Sequence, residues 1–286
     1  MSPAALTDAD FVKVRDFVYR RTGIQFGPTK RYFVDKRVVA LVEESGADGF
    51  DGYFSLLRTG DPQAVEGLVN ALTVNETYFL REDYQFDALT RSVLPQVLAD
   101  RRRLGIEHEP VRILSLPSST GEEPYSIAIR VLEDWPDIAH VDVSLHAADI
   151  DTRVLAAARR GVYGERSLAR VPHDELRRYF TRLPDGRHQV SADLREAVSF
   201  DRVNVCDPAQ MARYRGFDVV FCRNLLIYFD VTSSRLATDN LHDALRPGGF
   251  VLLGHSESMS RISSVLTPRR FPDALVYQRP EPGARR

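Results

Sequence analysis

A turn of small polar residues follows the first segment that reads as a buried strand. The strand candidate is Val111–Leu116, the turn is 117–121, and Glu122 and Glu123 come directly after it. In an open α/β sheet, this turn is where a nucleotide-like ligand lies. A turn that binds a pyrophosphate carries several glycines, which let backbone amides approach the phosphates. Here only Gly121 is present and the two carboxylates would repel a pyrophosphate, so the turn predicts a ligand that is cationic or rich in hydroxyl groups.

A second strand candidate ends in acidic residues. Asp149 and Asp151 follow the apolar run Val141–Ala147, and an acid at this position typically accepts hydrogen bonds from ribose hydroxyls. We assign that role to Asp149 and expect Asp151 to cap the helix that begins at Thr152. The alternative is that both acids are strand-end and cap residues without a ligand. Together with the turn, a ribose-binding acid indicates S-adenosylmethionine, which combines a sulfonium, an ammonium and a ribose diol.

Polar residues also break out of the strand candidate Phe217–Cys222 at its carboxyl end. Arg223 and Asn224 follow it, and Tyr228 lies a few residues further on. Active sites of α/β folds lie at this edge of the sheet, so we expect these residues near the ligand. The alternatives are an ordinary strand end with an ion-paired arginine, and a buried aromatic residue at position 228.

A third polar group precedes the strand-rich part of the chain. Asn75, Thr77 and Arg81 share no helical stripe, which favours a loop and first turn that present polar side chains. The alternative is the N-cap region of the next helix, without contact to a ligand.

Strand and helix patterns alternate from Val111 onward. The remaining strands are predicted at Val198–Val203 and Phe250–Gly254, and the helices at Glu122–Leu132, Thr152–Arg160 and Thr232–Leu245. Several strands are continuous apolar runs, as in sheets that are covered on both faces. The alternation predicts a doubly wound, Rossmann-like α/β domain at 111–286. The turn Pro184–Gly186 predicts a small antiparallel β hairpin inserted at about 179–200.

The first part of the chain reads as helical. Phe11, Val14 and Val18 repeat at helical spacing after the capping residue Thr7, and no β-rich run appears before about residue 110. We predict an all-helical N-terminal substrate-docking domain at 1–90, followed by a linker helix and loop at 91–110. The linker belongs to a long helix predicted at Asp83–Arg103.

Basic residues are concentrated near the N-terminus, although the whole chain has a formal net charge of -2. Between Lys13 and Arg37 there are eight basic residues against two acidic ones. We predict that Lys30, Arg31, Lys36 and Arg37 dock an acidic partner; the alternative is a solvated helix face. The overall charge argues against a general nucleic-acid binder.

The composition is that of a soluble globular protein, with 43% hydrophobic and 27% charged residues. The two cysteines, Cys206 and Cys222, form no CxxC motif and no Cys/His cluster, so we expect neither a metal site nor a disulfide framework. The first ten residues lack the features of a signal peptide, and no apolar run approaches the roughly 20 residues that span a bilayer. We therefore expect a cytoplasmic monomer without membrane insertion.

Taken together, these segments resemble the CheR family of chemotaxis methyltransferases. Five pieces carry the resemblance: Asn75–Glu82, Ser119–Ser126, Asp149–Asp151, Phe221–Phe229 and Gly254–Glu257. It spans roughly residues 8–279, and the sequences STGEEPYS and CRNLLIYF are very specific. It implies a helical domain packed over an S-adenosylmethionine-binding domain. It also implies methylation of glutamate side chains in the cytoplasmic helical domain of methyl-accepting chemotaxis receptors.

The resemblance further implies cofactor contacts from several segments. Asn75, Thr77 and Arg81 would close over the cofactor. Glu123 would face its amino-acid end, and Asp149 would hold the ribose. Asn204 and Val205 would flank the adenine, and the methyl group would lie near Cys222, Arg223 and Asn224. One departure from the family pattern is Pro117, which stands where a small residue is usual. A proline removes one amide donor from the turn.

The implied reaction is an in-line displacement, in which a glutamate oxygen attacks the methyl carbon and S-adenosylhomocysteine leaves. A glutamate with an ordinary pKa of about 4.3 is already ionised at neutral pH, so no general base is required and catalysis comes mainly from positioning. Arg81 or Arg223 could orient a carboxylate, and Tyr228 could hydrogen-bond the substrate or pack near the sulfonium. These three are the catalytic candidates.

Two rival functions stay open on the sequence. A small-molecule O-methyltransferase on the same fold would have a substrate lid in place of a basic helical domain. A non-catalytic adaptor that senses S-adenosylmethionine is supported only by Pro117.

Some members of the resembled family bind a receptor-tail tether peptide at a hairpin with a longer, glycine-containing loop. The hairpin here turns through Pro184–Gly186 alone, so we predict that no tether is needed.

Overall fold

The first part of the chain folds into helices. The computed structural model describes residues 6–259, 262–272, 274–281 and 283. Its N-terminal helices are α1 (Asp8–Thr22), α2 (Arg31–Ser45), α3 (Gly49–Thr59) and α4 (Pro62–Leu72). The Thr7 hydroxyl accepts the Asp10 amide at 3.1 Å and so caps α1. Gly23 ends α1 in the left-handed region at φ 78°, a conformation that glycine adopts readily.

A long helix follows the N-terminal helices. It consists of α5 (Tyr84–Ala88), a π-helical turn at Leu89–Val93 and α6 (Leu94–Leu104). The predicted helix over Asp83–Arg103 is therefore confirmed, with an irregular turn in its middle. Pro95 lacks the amide hydrogen that a continuous α-helix would use at this position, and the wider π turn ends two residues before it, at Val93.

Seven strands form the main sheet. The strands of the chain are β1 (Val111–Ser115), β2 (Val143–Asp149), β3 (Val162–Tyr163), β4 (Phe180–Arg182), β5 (His188–Val190), β6 (Val198–Arg202), β7 (Phe217–Cys222), β8 (Leu245–Leu253), β9 (Thr267–Arg270) and β10 (Leu275–Gln278). The main sheet has the order β6-β2-β1-β7-β8-β10-β9. β1, β2, β6, β7 and β8 pair in parallel, and β10 is antiparallel to its neighbours. The predicted Rossmann-like domain is confirmed, and the carboxyl ends of β1, β2 and β7 meet at one edge.

Helices pack around this sheet. They are α7 (Glu122–Asp134), α8 (Thr152–Arg160), α9 (Glu165–Leu168), α10 (His173–Tyr179), α11 (Ala192–Ala197), α12 (Pro208–Met211) and α13 (Val231–Ala244). Apolar side chains from these helices and the sheet form two buried clusters in the α/β domain, and the N-terminal helices enclose a third. Both faces of the sheet are therefore covered, which explains the continuous apolar strands.

The insertion is larger than a hairpin. β4 and β5 form the predicted hairpin, but β3 pairs with β5 to give a three-stranded sheet in the order β3-β5-β4. The chain then forms α11 before it returns to β6. β3 has two residues, which is too short for a recognisable pattern, and the sequence analysis missed it. It also missed β9 and β10 at the far end of the main sheet.

A buried ion network fixes α6 to the amino edge of the sheet. Asp218 at the start of β7 is 3.0 Å from Nη1 of Arg101, and its other partner is Nε of Arg246. The Asp218 carboxylate also accepts the Arg112 amide at 2.8 Å.

None of the helices in the described residues is both long and apolar enough to cross a bilayer.

Candidate active site

A cavity of about 320 Å³ lies at the carboxyl edge of the sheet, within the size range of small-molecule sites. Its walls come from the turn after β1, the ends of β2, β6 and β7, the segment that follows α4, and the end of α1. The predicted cofactor and catalytic residues that line it are Asn75, Thr77, Arg81, Glu123, Asp149, Asn204, Val205, Arg223, Asn224 and Tyr228. The structure thus brings together residues from segments that are far apart in sequence. Their individual roles stay predictions.

Cys222 is the predicted residue that the structure does not bring to this cavity. Its side chain is fully buried in the hydrophobic cluster behind the sheet, and burial raises the pKa of its thiol well above the ordinary value. The thiol therefore packs in the core, and the neighbouring Arg223 and Asn224 face the cavity instead.

The turn after β1 is tightly built. Gly121 has φ 98°, and a Cβ atom there would lie 2.8 Å from Tyr163 Oη and 3.0 Å from Ala158 Cβ. This position therefore requires glycine for both conformation and space. Ser119 also has a positive φ, 47°, and its amide donates to Asp149 Oδ2 at 2.8 Å. Pro117 follows a cis peptide bond and lines the cavity.

Asp149 lies at the end of β2 with 3% of its surface exposed. Oδ2 accepts the Ser119 amide, and Oδ1 accepts the Asp151 amide at 3.0 Å. Each oxygen keeps a lone pair that can accept a further hydrogen bond. Burial raises the pKa of this carboxyl to about 6, against the lowering effect of the backbone amides. The geometry fits a pair of ribose hydroxyls.

Glu123, Arg223 and Glu82 form a charged row beside the cavity. Glu123 accepts from Ser115 Oγ at 2.8 Å and from Arg223 Nη1 at 3.1 Å. Nη2 of Arg223 lies 3.3 Å from Glu82 Oε2. Burial raises the pKa of Glu123, and the Arg223 guanidinium offsets part of that rise. Because Arg223 already faces two carboxylates, a substrate carboxylate would have to compete for it.

Arg81 and Tyr228 are less constrained. Nη1 of Arg81 donates to the Glu76 carbonyl at 2.7 Å, and its guanidinium lies 6.0 Å from the Tyr78 ring centroid. The half-buried Tyr228 hydroxyl has no hydrogen-bond partner within the described part of the chain. Burial raises its pKa. Both side chains are therefore available to a ligand.

Asn204 and Val205 are held by the fold itself. The Asn204 side chain donates to the Arg21 carbonyl at 2.9 Å and accepts the Cys206 amide at 2.9 Å. The Val205 carbonyl accepts from Asn240 Nδ2 at 2.7 Å. The predicted adenine wall is thus positioned by contacts to α1 and α13.

Several cavity residues were missed by the sequence analysis. Thr22, Ile24 and Phe26 come from the helical domain and line the cavity. The Gln25 amide donates to the Tyr228 carbonyl at 3.0 Å, and Ile24 forms an antiparallel bridge with Phe229. These contacts join two domains, and no local sequence pattern signals them.

Glu257 is a further residue whose role the sequence analysis missed, and its carboxylate shapes the loop after β7. Its Oε2 accepts the amides of Asn224 at 2.6 Å and Gly254 at 2.8 Å, and its Oε1 accepts the Leu226 amide at 2.7 Å. A Cβ atom on Gly254 would lie 2.7 Å from Asn224 Nδ2. Glycine therefore lets the loops after β7 and β8 approach each other. The fifth motif of the sequence analysis contains both residues, but the pattern did not show this contact.

The four predicted docking residues differ in their surroundings. Arg31 pairs with Asp8 and Asp35 and donates to the Leu6 carbonyl. Arg37 lies 3.6 Å from the Phe33 ring centroid. Lys30 and Lys36 are exposed and form no ion pair within the described ranges. Two of the four cations are therefore engaged inside the helical domain.

Comparison with known families shows which family the chain belongs to. Residues 75–272 match the family model described as the CheR methyltransferase, SAM binding domain, and residues 9–73 match the CheR methyltransferase, all-alpha domain. The chain belongs to the CheR methyltransferase family. It is 44% identical over 284 residues to chemotaxis protein methyltransferase 2 of Vibrio cholerae, covering 99% of this chain and 97% of that protein. It is 37% identical over 262 residues to the chemotaxis protein methyltransferase of Salmonella typhimurium, covering 90% and 86%.

These matches confirm the predicted family, the methyltransferase activity and S-adenosylmethionine as the cofactor. The residues of the cavity fit that cofactor. Asp149 can accept hydrogen bonds from the ribose hydroxyls, and Glu123 contributes to the cavity lining a carboxylate that suits a cationic ligand. The turn after β1 has a single glycine beside two carboxylates, which disfavours a pyrophosphate.

Proposed function

We propose that this CheR-family enzyme methylates glutamate side chains in the cytoplasmic helical domain of methyl-accepting chemotaxis receptors. The supporting observation is the make-up of the cavity: among the residues that the structure describes, its lining contains carboxylates, one buried arginine and a tyrosine hydroxyl without a hydrogen-bond partner, and no histidine. Such a lining suits a nucleophile that arrives already ionised, as glutamate does. We further propose that the enzyme acts as a cytoplasmic monomer with domains at 1–90 and 111–286, joined through 91–110.

When bound, S-adenosylmethionine supplies the methyl group as an electrophile. Asp149 would hold the ribose, and the carboxylate of Glu123 would face the ammonium of the amino-acid end. Asn75 and Thr77 would close the cavity from the side of the segment that follows α4. Holding the cofactor and the acceptor in fixed positions in this way is worth several kcal/mol in favourable cases.

The acceptor carboxylate is oriented by Arg81 and Tyr228, which form no ion pair in the described part of the chain. Arg81 is half-buried and donates to the Glu76 carbonyl alone, and the Tyr228 hydroxyl has no hydrogen-bond partner among the described residues. Arg223 is held by Glu123 and Glu82, so its role is to place those two carboxylates. A moderate attraction for the acceptor is sufficient, because strong binding of the separated charges would slow a step in which they neutralise.

The direct test is methyl transfer from labelled S-adenosylmethionine to a receptor cytoplasmic fragment. We expect label in base-labile methyl esters, mapped by mass spectrometry to glutamate residues. A matched fragment with those glutamates replaced by alanine serves as the control. Label on a small molecule would support a small-molecule O-methyltransferase, and cofactor binding without transfer to any receptor would support a sensing adaptor. Either result would contradict the proposal.

We also propose that no receptor-tail tether is needed. A tether peptide would add a strand to an exposed sheet edge. β3 has two residues and β4 has three, and an ion pair between Arg187 and Asp185 closes the turn between β4 and β5. Charged residues and short strands of this kind guard an edge against pairing.

The tether proposal is tested with two receptor fragments, one with and one without the C-terminal tail. We expect equal KM values for both, and no measurable binding of a tail pentapeptide by calorimetry. Micromolar binding of the pentapeptide that is lost on altering residues 180–190 would overturn it.

A further inference from the structure

A buried carboxylate outside the cavity joins the segment of residues 73–78, which follows α4, to the end of β2. Asp151 has no exposed surface. Its Oδ1 accepts the amides of Arg153 at 2.9 Å and Val154 at 3.4 Å, which caps α8. Its Oδ2 accepts from Thr73 Oγ1 at 2.7 Å and Asn75 Nδ2 at 2.9 Å. The two oxygens therefore serve two different elements, of which the sequence predicted only the helix cap.

The 73–78 segment depends on such side-chain bonds. Residues 73–78 belong to neither a helix nor a strand, so no backbone ladder fixes them. Further bonds support the same junction, among them Asn70 Nδ2 to Thr152 Oγ1 at 2.8 Å and Ser119 Oγ to the Asn75 carbonyl at 3.3 Å. Asp151 differs from Thr152 and the Asn75 carbonyl in being a charged acceptor, and hydrogen bonds to charged groups are the stronger ones.

The same residue also touches the opposite wall of the cavity. The Asp151 amide donates to Asp149 Oδ1 at 3.0 Å. The side chain thus holds the wall formed by residues 73–78, while the backbone orients the carboxylate that would face the ribose. The guanidinium of Arg153, in the first turn of α8, also lies near, with Nη2 at 3.4 Å from Oδ2.

We propose that Asp151 is a positioning residue for the cofactor, which clamps the 73–78 segment across the cavity through Thr73 and Asn75. It does not line the cavity itself. Loss of the clamp leaves Asn75 and Thr77 free to move away from the cofactor. Cofactor affinity then falls although no contacting atom has been removed.

The variant Asp151→Asn removes the acceptor of the clamp and keeps the acceptor of the helix cap. The carboxamide oxygen can still accept the Arg153 and Val154 amides, and asparagine caps a helix as well as aspartate does. The new NH₂ group would face the two donors of Thr73 and Asn75 in place of Oδ2. We expect the Kd for S-adenosylhomocysteine, measured by calorimetry, to rise about tenfold, which corresponds to one lost hydrogen bond to a charged group. The Tm should also fall, because Oδ2 accepts two hydrogen bonds that an NH₂ group cannot accept, so the Kd is measured well below the Tm of the variant.

Matched variants test the partner side. Thr73→Val removes the hydroxyl and should weaken S-adenosylhomocysteine binding, whereas Thr73→Ser keeps it and should restore the affinity. The double variant of Asp151→Asn with Thr73→Val should lose less than the sum of the two single changes, because both remove the same bond. Asp61→Asn alters another helix cap, at α4, and should leave the affinity unchanged.

Several outcomes would overturn the proposal. Unchanged affinity in Asp151→Asn would assign the residue to the helix cap alone, with or without a lower Tm. Fully additive losses in the double variant would show that Thr73 and Asp151 act separately. If Asp151→Asn does not fold, equal affinities in Thr73→Val and Thr73→Ser would reject the clamp.

Discussion

The ionised carboxylate of Asp149 is unfavourable in its buried position without a ligand. Burial raises the pKa of this carboxyl to about 6, so its ionised form is disfavoured relative to that of an exposed aspartate. The amides of Ser119 and Asp151 stabilise the ionised form. Hydroxyl donors from a ribose would stabilise it further.

This arrangement predicts a pH dependence of cofactor binding. Because the ribose hydroxyls donate to the ionised carboxylate, binding favours the deprotonated state. Affinity for S-adenosylhomocysteine should be level well above pH 6 and fall as the pH drops below it, approaching tenfold per unit. Calorimetry between pH 5 and 8 measures this effect.

The control for that prediction is Asp149→Asn. This variant should bind more weakly at pH 8, by about 1–3 kcal/mol for a lost bond to a charged group, and should lose most of the pH dependence. A profile that is equally steep in the variant would assign the titration to another group, such as Glu123, whose pKa burial also raises.

The orientation and the contacts of some other single residues could not be predicted from the sequence. The motif around Cys222 predicted three neighbours near the methyl group, but β7 is buried on both faces. A strand without alternation gives no sign of which side chains point to the cavity edge, so the position of Cys222 could not be predicted. An ion-paired arginine was one of the alternatives for Arg223, but the motif did not indicate its partners Glu123 and Glu82, because they lie on other elements.

At the scale of elements, the features that depend on neighbouring residues were predictable. The caps at Thr7 and Asp151 and the left-handed glycines after α1 and α8 follow from local chemistry. β9 was not predictable, because Thr267–Arg270 is an exposed edge strand that contains a proline and two arginines. Its pairing with β10 is set by the sheet and by no pattern of its own.

The backbone around the site holds unusual conformations that no propensity predicts. Leu80, Glu82, Ser119 and Asn224 all have positive φ values between 47° and 58°, and each lies in or beside a segment that lines the cavity. Non-glycine residues in this region cost roughly 1–3 kcal/mol each and persist where their surroundings determine them. For Asn224, the surroundings are the amide contacts of Glu257.

Glu257 therefore predicts a loop effect on catalysis. In Glu257→Gln, one oxygen becomes an NH₂ group and at least one of the Asn224, Leu226 and Gly254 amides loses its acceptor. We expect kcat to fall by about tenfold or more, in line with a cost of about 1–3 kcal/mol for an unsatisfied group. Steady-state methylation of a receptor fragment is the measurement.

The matched control is Ser256→Ala, at an exposed neighbouring position, which should keep wild-type kcat. Tm values should be compared for both variants. If Glu257→Gln keeps wild-type kcat, the loop after β7 holds its shape without this carboxylate, and the role of Glu257 is limited to local stability.

At the scale of the molecule, the helical domain completes the site that the α/β domain begins. Tyr19 Oη donates to Asp230 Oδ2 at 2.9 Å, and Thr22, Ile24 and Phe26 line the cavity. At the opposite edge, Asp218 holds α6 to the sheet through Arg101 and Arg246. Neither arrangement was predictable, since each joins residues that are distant in sequence. The fold class was predictable because it follows from the order of strands and helices.

The outer surface of the helical domain carries the last prediction, which concerns receptor docking. Lys30 and Lys36 are exposed and unpaired in the described structure, and Tyr32 between them is 79% exposed. An exposed aromatic flanked by free cations suits an acidic helical partner. Arg31 and Arg37 are held within the domain, so their reversal would also disturb packing. The test therefore uses the two lysines alone.

Reversing both charges, Lys30→Glu with Lys36→Glu, should raise the KM for the receptor about tenfold at low salt, since exposed charges act mainly on association. The effect should shrink at 0.5 M salt, because screening acts within about 10 Å already at 0.1 M. Affinity for S-adenosylhomocysteine should not change. Arg58→Glu with Arg102→Glu makes the same charge change at exposed positions on α3 and α6 and should leave the KM near wild type. Equal KM increases in both double variants would indicate a general charge effect, and no increase in either would place the docking surface elsewhere.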